Sequence, residues 1–152
     1  MARFAVAADH NGVEHKERFV GWLAGAGHET LDLGVHDTAV VDYPALCVAV
    51  GTAVTSGGAD NGIMIGGSGQ GEVIALNKIA GIRAGLAFSR FAVEISRGNN
   101  DANVMVIGAK LCSADEAVQL LAQWIDTPFK GGDHARRVAQ IAEIERAWSA
   151  QH

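Results

Sequence analysis

Four glycines crowd the stretch Gly66-Gly67-Ser68-Gly69-Gln70-Gly71, and Glu72 follows directly. The stretch sits between the apolar run Gly62 to Ile65 and the pattern Val73-Ile74-Ala75-Leu76-Asn77-Lys78, where a strand-to-helix loop belongs. Glycines let backbone N–H groups converge on a phosphate, a carboxylate or a developing oxyanion, and the positive end of a following helix adds attraction. A triphosphate loop of the G-x-x-x-x-G-K-[ST] type is excluded, because Glu72 stands where that pattern needs Lys. The dinucleotide fingerprint is misplaced too, since it follows the first strand of its fold. The plain alternative is a tight turn. Glu72 likewise has two readings: a carboxylate paired with a helix dipole, or a general base that takes a proton from carbon beside a carbonyl while loop N–H groups hold the enediolate.

Other candidates flank other apolar runs. Asp9-His10 after the first run could be a helix cap with an exposed imidazole, or a pair that transfers protons to substrate hydroxyls. Asn99-Asn100-Asp101 and Gly108-Ala109-Lys110 bracket the last run. His134, Arg136 and Arg137 open a helical pattern, where cations oppose the dipole, which hints at an anionic ligand or a partner. The 6 histidines form no H-x-x-x-H pair or other compact ligand spacing, so no metal site is expected. Cys47 and Cys112 stand far apart, outside any C-x-x-C pair, which argues against a disulfide framework or a thiolate zinc site and fits a reducing compartment, the cytoplasm.

These residues need a scaffold, and the chain offers one. Short β-type apolar runs alternate with helical patterns throughout, the signature of an α/β domain with a mainly parallel, doubly wound sheet. Five strands are predicted: Phe4 to Ala8, Glu29 to Leu33, Gly62 to Ile65, Ala84 to Phe88 and Val104 to Ile107. A first helix after Gly12 turns Val13, Phe19, Val20 and Leu23 inward and stops at Gly25-Ala26-Gly27. Pro44 suits the first turn of a second helix, and the apolar stretch Tyr43 to Val54 reads as buried. Ser113 and Glu116 make a capping box ahead of Val118, Leu121 and Ile125. A last helix over about 134–150 carries Val138, Ile141, Ile144 and Trp148 on one stripe. It either covers its own domain or reaches a second subunit. In open parallel sheets, ligands bind at the carboxyl ends of the strands, which is where the candidate loops are sought.

Composition agrees. A chain of 152 residues suits one domain, and 49% hydrophobic against 19% charged residues excludes disorder. The net charge of −5, with no basic run, argues against nucleic acid or an anionic membrane as the main partner and favours a small-molecule ligand. No apolar stretch reaches the ~18 to 20 residues of a membrane-spanning helix, and Asp9 and His10 come too early for a signal peptide.

Asp9-His10, Asp42-Tyr43-Pro44, Gly66 to Glu72, Asn77-Lys78, Gly81-Ile82-Arg83, Asn100-Asp101-Ala102-Asn103-Val104 and Gly131-Gly132-Asp133-His134 occur in this order. Together they resemble the ribose-5-phosphate isomerase B family, which includes the galactose-6-phosphate isomerase subunits. The resemblance covers nearly the whole chain. It implies a Rossmann-like, flavodoxin-like fold, a homodimer with active sites shared between subunits, no cofactor, and metal-free interconversion of aldose and ketose phosphates, foremost ribose 5-phosphate and ribulose 5-phosphate. One version of the family carries a catalytic Cys at the position of Gly66; the other has a Glu after the loop, which Glu72 matches. By resemblance Glu72 moves the proton between C1 and C2, Ser68 with the N–H groups of Gly67, Gly69 and Gly71 holds the enediolate, and Asp9 serves the neighbouring hydroxyl. Tyr43 and Asn100 contact the sugar chain, while His10, Lys110, His134 and Arg137 match the phosphate side.

The chain departs from the family at two places. Asn99 stands where a His protonates the sugar ring oxygen; it donates a hydrogen bond but does not titrate. Asp133 stands where an Arg commonly pairs with phosphate, and Lys110 replaces another Arg, losing its bidentate fork. Both changes touch recognition and spare the enolisation apparatus. The alternatives are therefore an isomerase of another sugar (open-chain, four-carbon, six-carbon or unphosphorylated), a non-catalytic sugar-phosphate sensor, or a subunit active only beside a related chain.

Overall fold

The computed structural model describes residues 1–152. Five apolar runs become strands: β1 (Arg3–Ala8), β2 (Glu29–Asp32), β3 (Asn61–Gly66), β4 (Ala84–Leu86) and β5 (Val104–Gly108). All pair in parallel, in the order β2-β1-β3-β5-β4. This is the flavodoxin order with its last two strands exchanged. The chain runs from β1 outward to β2, then crosses to β3 on the other side. The carboxyl ends of β1 and β3 thus flank the point where the winding reverses, the place where such sheets open a ligand crevice.

Six helices alternate with the strands: α1 (Val13–Gly25), α2 (Tyr43–Thr55), α3 (Gln70–Leu76), α4 (Arg90–Gly98), α5 (Ala114–Asp126) and α6 (Asp133–Gln151). On one sheet face Phe19 and Leu23 of α1, Val93 of α4 and Leu121 and Trp124 of α5 pack on Phe4, Val6, Ile63 and Ile107. On the other, Cys47 and Val50 of α2 and Leu76 of α3 pack on Ala7, Met64, Val104 and Val106. Residues of the three central strands β1, β3 and β5 therefore alternate between two cores and are apolar on both sides, whereas the edge strands β2 and β4 hold no buried residue.

Several local signals act as expected. Ser113 Oγ accepts from the Glu116 N–H at 3.2 Å while Glu116 returns a bond to the Ser113 N–H at 2.8 Å, which completes the capping box of α5. Others differ. Helix α2 is buried on one side only, and Val48 is 56% exposed. The inner face of α1 includes His15 and Lys16, whereas Val13 and Val20 are half-buried. No residue of α6 is buried, and its apolar stripe stays open, with Ile144 68% and Trp148 66% exposed. No helix is long and apolar enough to cross a membrane.

Candidate active site

The chain leaves β1 at Asp9, which is 4% exposed. Its carboxylate does not cap α1, whose N-cap is Gly12. Instead Asp9 Oδ1 accepts the Asn11 N–H at 2.8 Å, and Oδ2 faces Asn11 Nδ2 at 3.4 Å. Asn11 thus fixes a buried carboxylate at the crevice, a task that only the habit of an Asp side chain to bond the backbone two residues on could have disclosed. The His10 ring lies between the Val41 N–H, 3.4 Å from Nδ1, and the Asn11 amide, 3.4 Å from Nε2.

The glycine loop leaves β3 beside it. Gly69 takes φ +78°, a left-handed conformation that glycine adopts without steric cost. The N–H groups of Gly67, Ser68, Gly69 and Gly71 make no hydrogen bond within the chain. Four free donors in one tight turn form an anion cradle. Ser68 is exposed, and its Oγ accepts from the Gln70 N–H at 3.2 Å. The following loop of β5 braces this turn: Ala109 N–H bonds Gly66 O at 2.8 Å, and Lys110 N–H bonds Gly67 O at 2.9 Å. A methyl built on Gly67 would meet Asn11 Nδ2 at 3.1 Å and Lys110 Cε at 3.7 Å, so the Lys110 stem runs past the cradle.

Glu72, in the first turn of α3, is 3% exposed and folds back over β3. A methyl on Gly66 would overlap its carboxyl carbon and one oxygen; the missing side chain at 66 makes the room that the carboxylate fills. Burial, reinforced by the Asp9 carboxylate and opposed by its own N–H, raises the Glu72 carboxyl above the ordinary range. Tyr43 completes this wall from α2, its hydroxyl lying where a side chain on Gly71 would be. Cys47 packs beneath: its Sγ lies 3.9 Å from Glu72 O, and burial, with help from Glu72, pushes its thiol up to about 12. Such a thiol is inert near neutrality.

One chain does not bring the whole predicted set together. Asp9, His10, Tyr43, Gly67 to Gly71, Glu72 and Lys110 gather at the carboxyl ends of the strands. Asn99 and Asn100 lie at the opposite end, because they close α4 and precede β5 in an all-parallel sheet. His134 and Arg137 begin α6 beyond Lys130, whose N–H bonds Gly98 O at 2.9 Å. That segment also packs at the amino end. Placing Asn99-Asn100-Asp101 among carboxyl-end loops is therefore corrected: they precede a strand. The Asn99 Oδ1 is buried without a partner, and the Asn100 side chain is exposed. A cavity of about 720 Å³ lies at this end too, between α6 (Ile141, Ile144, Trp148) and Arg83, Ser96 and Asn100.

Other recurring motifs hold the frame. Asn77 bonds Ala84 through both amide atoms at 2.9 Å, and Asn103 bonds Arg83 N–H and Gly81 O, each at 2.8 Å. The Arg83 guanidinium grips the Asp101 carbonyl at 2.7 Å.

The ribose/galactose isomerase family model matches residues 4–141. Ribose-5-phosphate isomerase B of Mycobacterium tuberculosis is 38% identical over 150 residues, 97% of this chain and 93% of the relative. Ribose-5-phosphate isomerase B of Clostridium thermocellum superposes with a TM-score of 0.93 at 38% identity, over 96% of this chain and 99% of that one. The Mycoplasma genitalium enzyme, solved with bound ribulose-5-phosphate, superposes with a TM-score of 0.91 at 29% identity, over 95% and 96% of the two chains. This chain belongs to the ribose/galactose isomerase family.

Proposed function

We propose that this chain interconverts ribose 5-phosphate and ribulose 5-phosphate through an enediolate, with Glu72 as the base. The observation that carries the reading is the buried Glu72 carboxylate, raised in pKa, beneath a loop with four free N–H donors. A carboxylate so raised is better matched to proton abstraction near neutrality than an exposed one. The Glu72 carboxylate takes the C2 proton of the open-chain aldose. The C–H electrons form the C1–C2 double bond, and the carbonyl electrons move to O1. Gly67, Ser68, Gly69 and Gly71 hold the negative oxygens, and Asp9 moves a proton from O2 to O1. Glu72 returns its proton to C1, which completes the ketose.

In this reading Tyr43 lines the sugar chain, and His10 and Lys110 face the phosphate. Asn99, Asn100, His134 and Arg137 reach the site from a second copy. A two-fold dimer that sets the amino end of one sheet against the carboxyl end of the other repeats the junction twice and completes two sites. The open apolar stripe of α6 supports such a partner. Asn99, its Oδ1 turned inward, offers Nδ2 as a donor to the sugar. Asp133 lies 3.4 Å from Arg136 within α6, which answers part of its charge.

The test is purified protein with ribose 5-phosphate, ketose formation being followed by NMR. Interconversion supports the reading, and a folded protein that turns over only unphosphorylated or open-chain sugars rejects it.

A further inference from the structure

Two buried polar side chains of α1 take no part in the proposed chemistry. His15 and Lys16 are 7% and 2% exposed. His15 Nε2 donates to the Cys112 carbonyl at 2.9 Å, which ties α1 to the loop that carries Lys110. Lys16 Nζ donates to both oxygens of Asp32, at 2.8 and 2.7 Å, which ties α1 to the end of β2. An ammonium this deep is costly to desolvate, and its partner must be fixed in place.

Asp32 is fixed in place by its own loop. Its Oδ1 also accepts the Gly34 N–H at 2.9 Å, and His36 Nδ1 lies 4.0 Å from Oδ2. Partial burial pushes the Asp32 carboxyl up, but Lys16 and the Gly34 N–H outweigh it and hold the group below the ordinary range. From Asp32 the chain continues along β1: Ala8 N–H bonds Gly34 O at 2.8 Å, and Val35 N–H bonds Ala8 O at 2.9 Å. It then loops out and returns at Val41, whose N–H faces His10 Nδ1. Inside that loop the only other side-chain bond is a local one, Asp37 to the Ala39 N–H at 2.9 Å. Apart from His10 itself, Lys16 is the one side chain from outside that hydrogen-bonds residues 32–42.

We infer that Lys16 and Asp32 are positioning residues for His10: the bond from the buried Lys16 ammonium to the partly solvent-exposed Asp32 carboxylate sets segment 33–42 on β1 so that Val41 orients the imidazole toward Asn11 and the cradle. The consequence for substrate affinity rests on the proposed role of His10 at the phosphate; the orientation of the ring does not. Neither residue touches the reacting atoms, so the expected signature is in binding rather than in the proton-transfer step.

The test is the double variant Lys16→Met/Asp32→Leu. Removing both charges together leaves no ammonium buried without its partner, so this variant keeps the fold while losing the anchor. The expected result is a melting temperature near that of the parent, with His10 ring signals in long-range ¹⁵N–¹H spectra averaged toward free imidazole. KM for ribose 5-phosphate should rise roughly tenfold while kcat stays within about threefold. A folded double variant with parental His10 signals and KM overturns the inference and leaves the pair a purely structural role. If the double variant does not fold, Asp32→Asn is read the same way: shifted ring signals support the inference, and unshifted ones overturn it. If the parent does not turn over ribose 5-phosphate, the functional reading fails separately and the ring spectra still decide.

Discussion

Gly66 is the position where the smallest change should have the largest effect on chemistry. A methyl there would overlap the Glu72 carboxyl carbon and one oxygen, and would stand 2.8 Å from the other oxygen. Carbon and oxygen atoms rest at about 3.5 Å, so the far oxygen must retreat by roughly 0.7 Å and the near one by more than about 1 Å. Misplacing a reacting group by about 1 Å costs on the order of 100-fold in rate. Gly66→Ala should therefore lower kcat at least about 100-fold and change substrate affinity little, because the cradle N–H groups lie beyond it in the chain. The fold should survive, since the carboxylate can give way toward solvent. Initial isomerisation rates, a thermal melt and a binding titration with ribose 5-phosphate separate these effects. A folded Gly66→Ala protein with kcat within about fivefold of the parent would refute the claim that the carboxylate must occupy this spot.

Further expectations come from the same geometry. The raised carboxyl of Glu72 must be deprotonated to act, so kcat/KM should fall with decreasing pH through a value above the ordinary Glu range, as a pH–rate profile would show. That raised pKa also means the folded chain binds more protons than the unfolded one above the ordinary carboxylate range. Stability is lost as pH rises through that window, and Glu72→Gln should gain on the order of 1 kcal/mol at neutral pH in a denaturant titration. The overlap at Gly66 implies that a side chain there and the Glu72 carboxylate occupy one place. Gly66→Cys in a Glu72→Ala background should recover roughly tenfold over Glu72→Ala alone, and no recovery would separate the two positions. If sites are shared, mixing Glu72→Gln with Arg137→Ala after joint refolding should restore about a quarter of parental activity, since half the dimers are mixed and each holds one intact site. Absence of complementation would place Arg137 outside the shared site.

Much of this was legible in the residues, for reasons that can be named. The strands lie within about two residues of the predicted runs, most closely explained for the central β1, β3 and β5, which are covered on both faces and apolar throughout. The glycine loop and Asp9 were legible because each directly follows a strand, and Glu72 because it directly follows that loop. Lys16 and His15 were not, since buried polar residues break the apolar period that marks an inner face. Asn11 escaped because its role is to hold Asp9 rather than to act. The division of the site between two ends of the sheet was not legible locally. Whether Asn99 lies before or behind the sheet depends on every strand being parallel, a global property that local spacing near Val104 does not encode. The strand exchange between β4 and β5 escaped for the same reason.

The central claim is that Glu72 moves the carbon-bound proton, and hydrogen exchange tests it without requiring net turnover. Ribose 5-phosphate in deuterated water, observed by NMR at C2, should exchange with the parent protein. With Glu72→Gln it should exchange at least about 100-fold more slowly, with sugar-phosphate binding intact. Exchange that persists at the parental rate in Glu72→Gln would contradict the account and move the base elsewhere in the site.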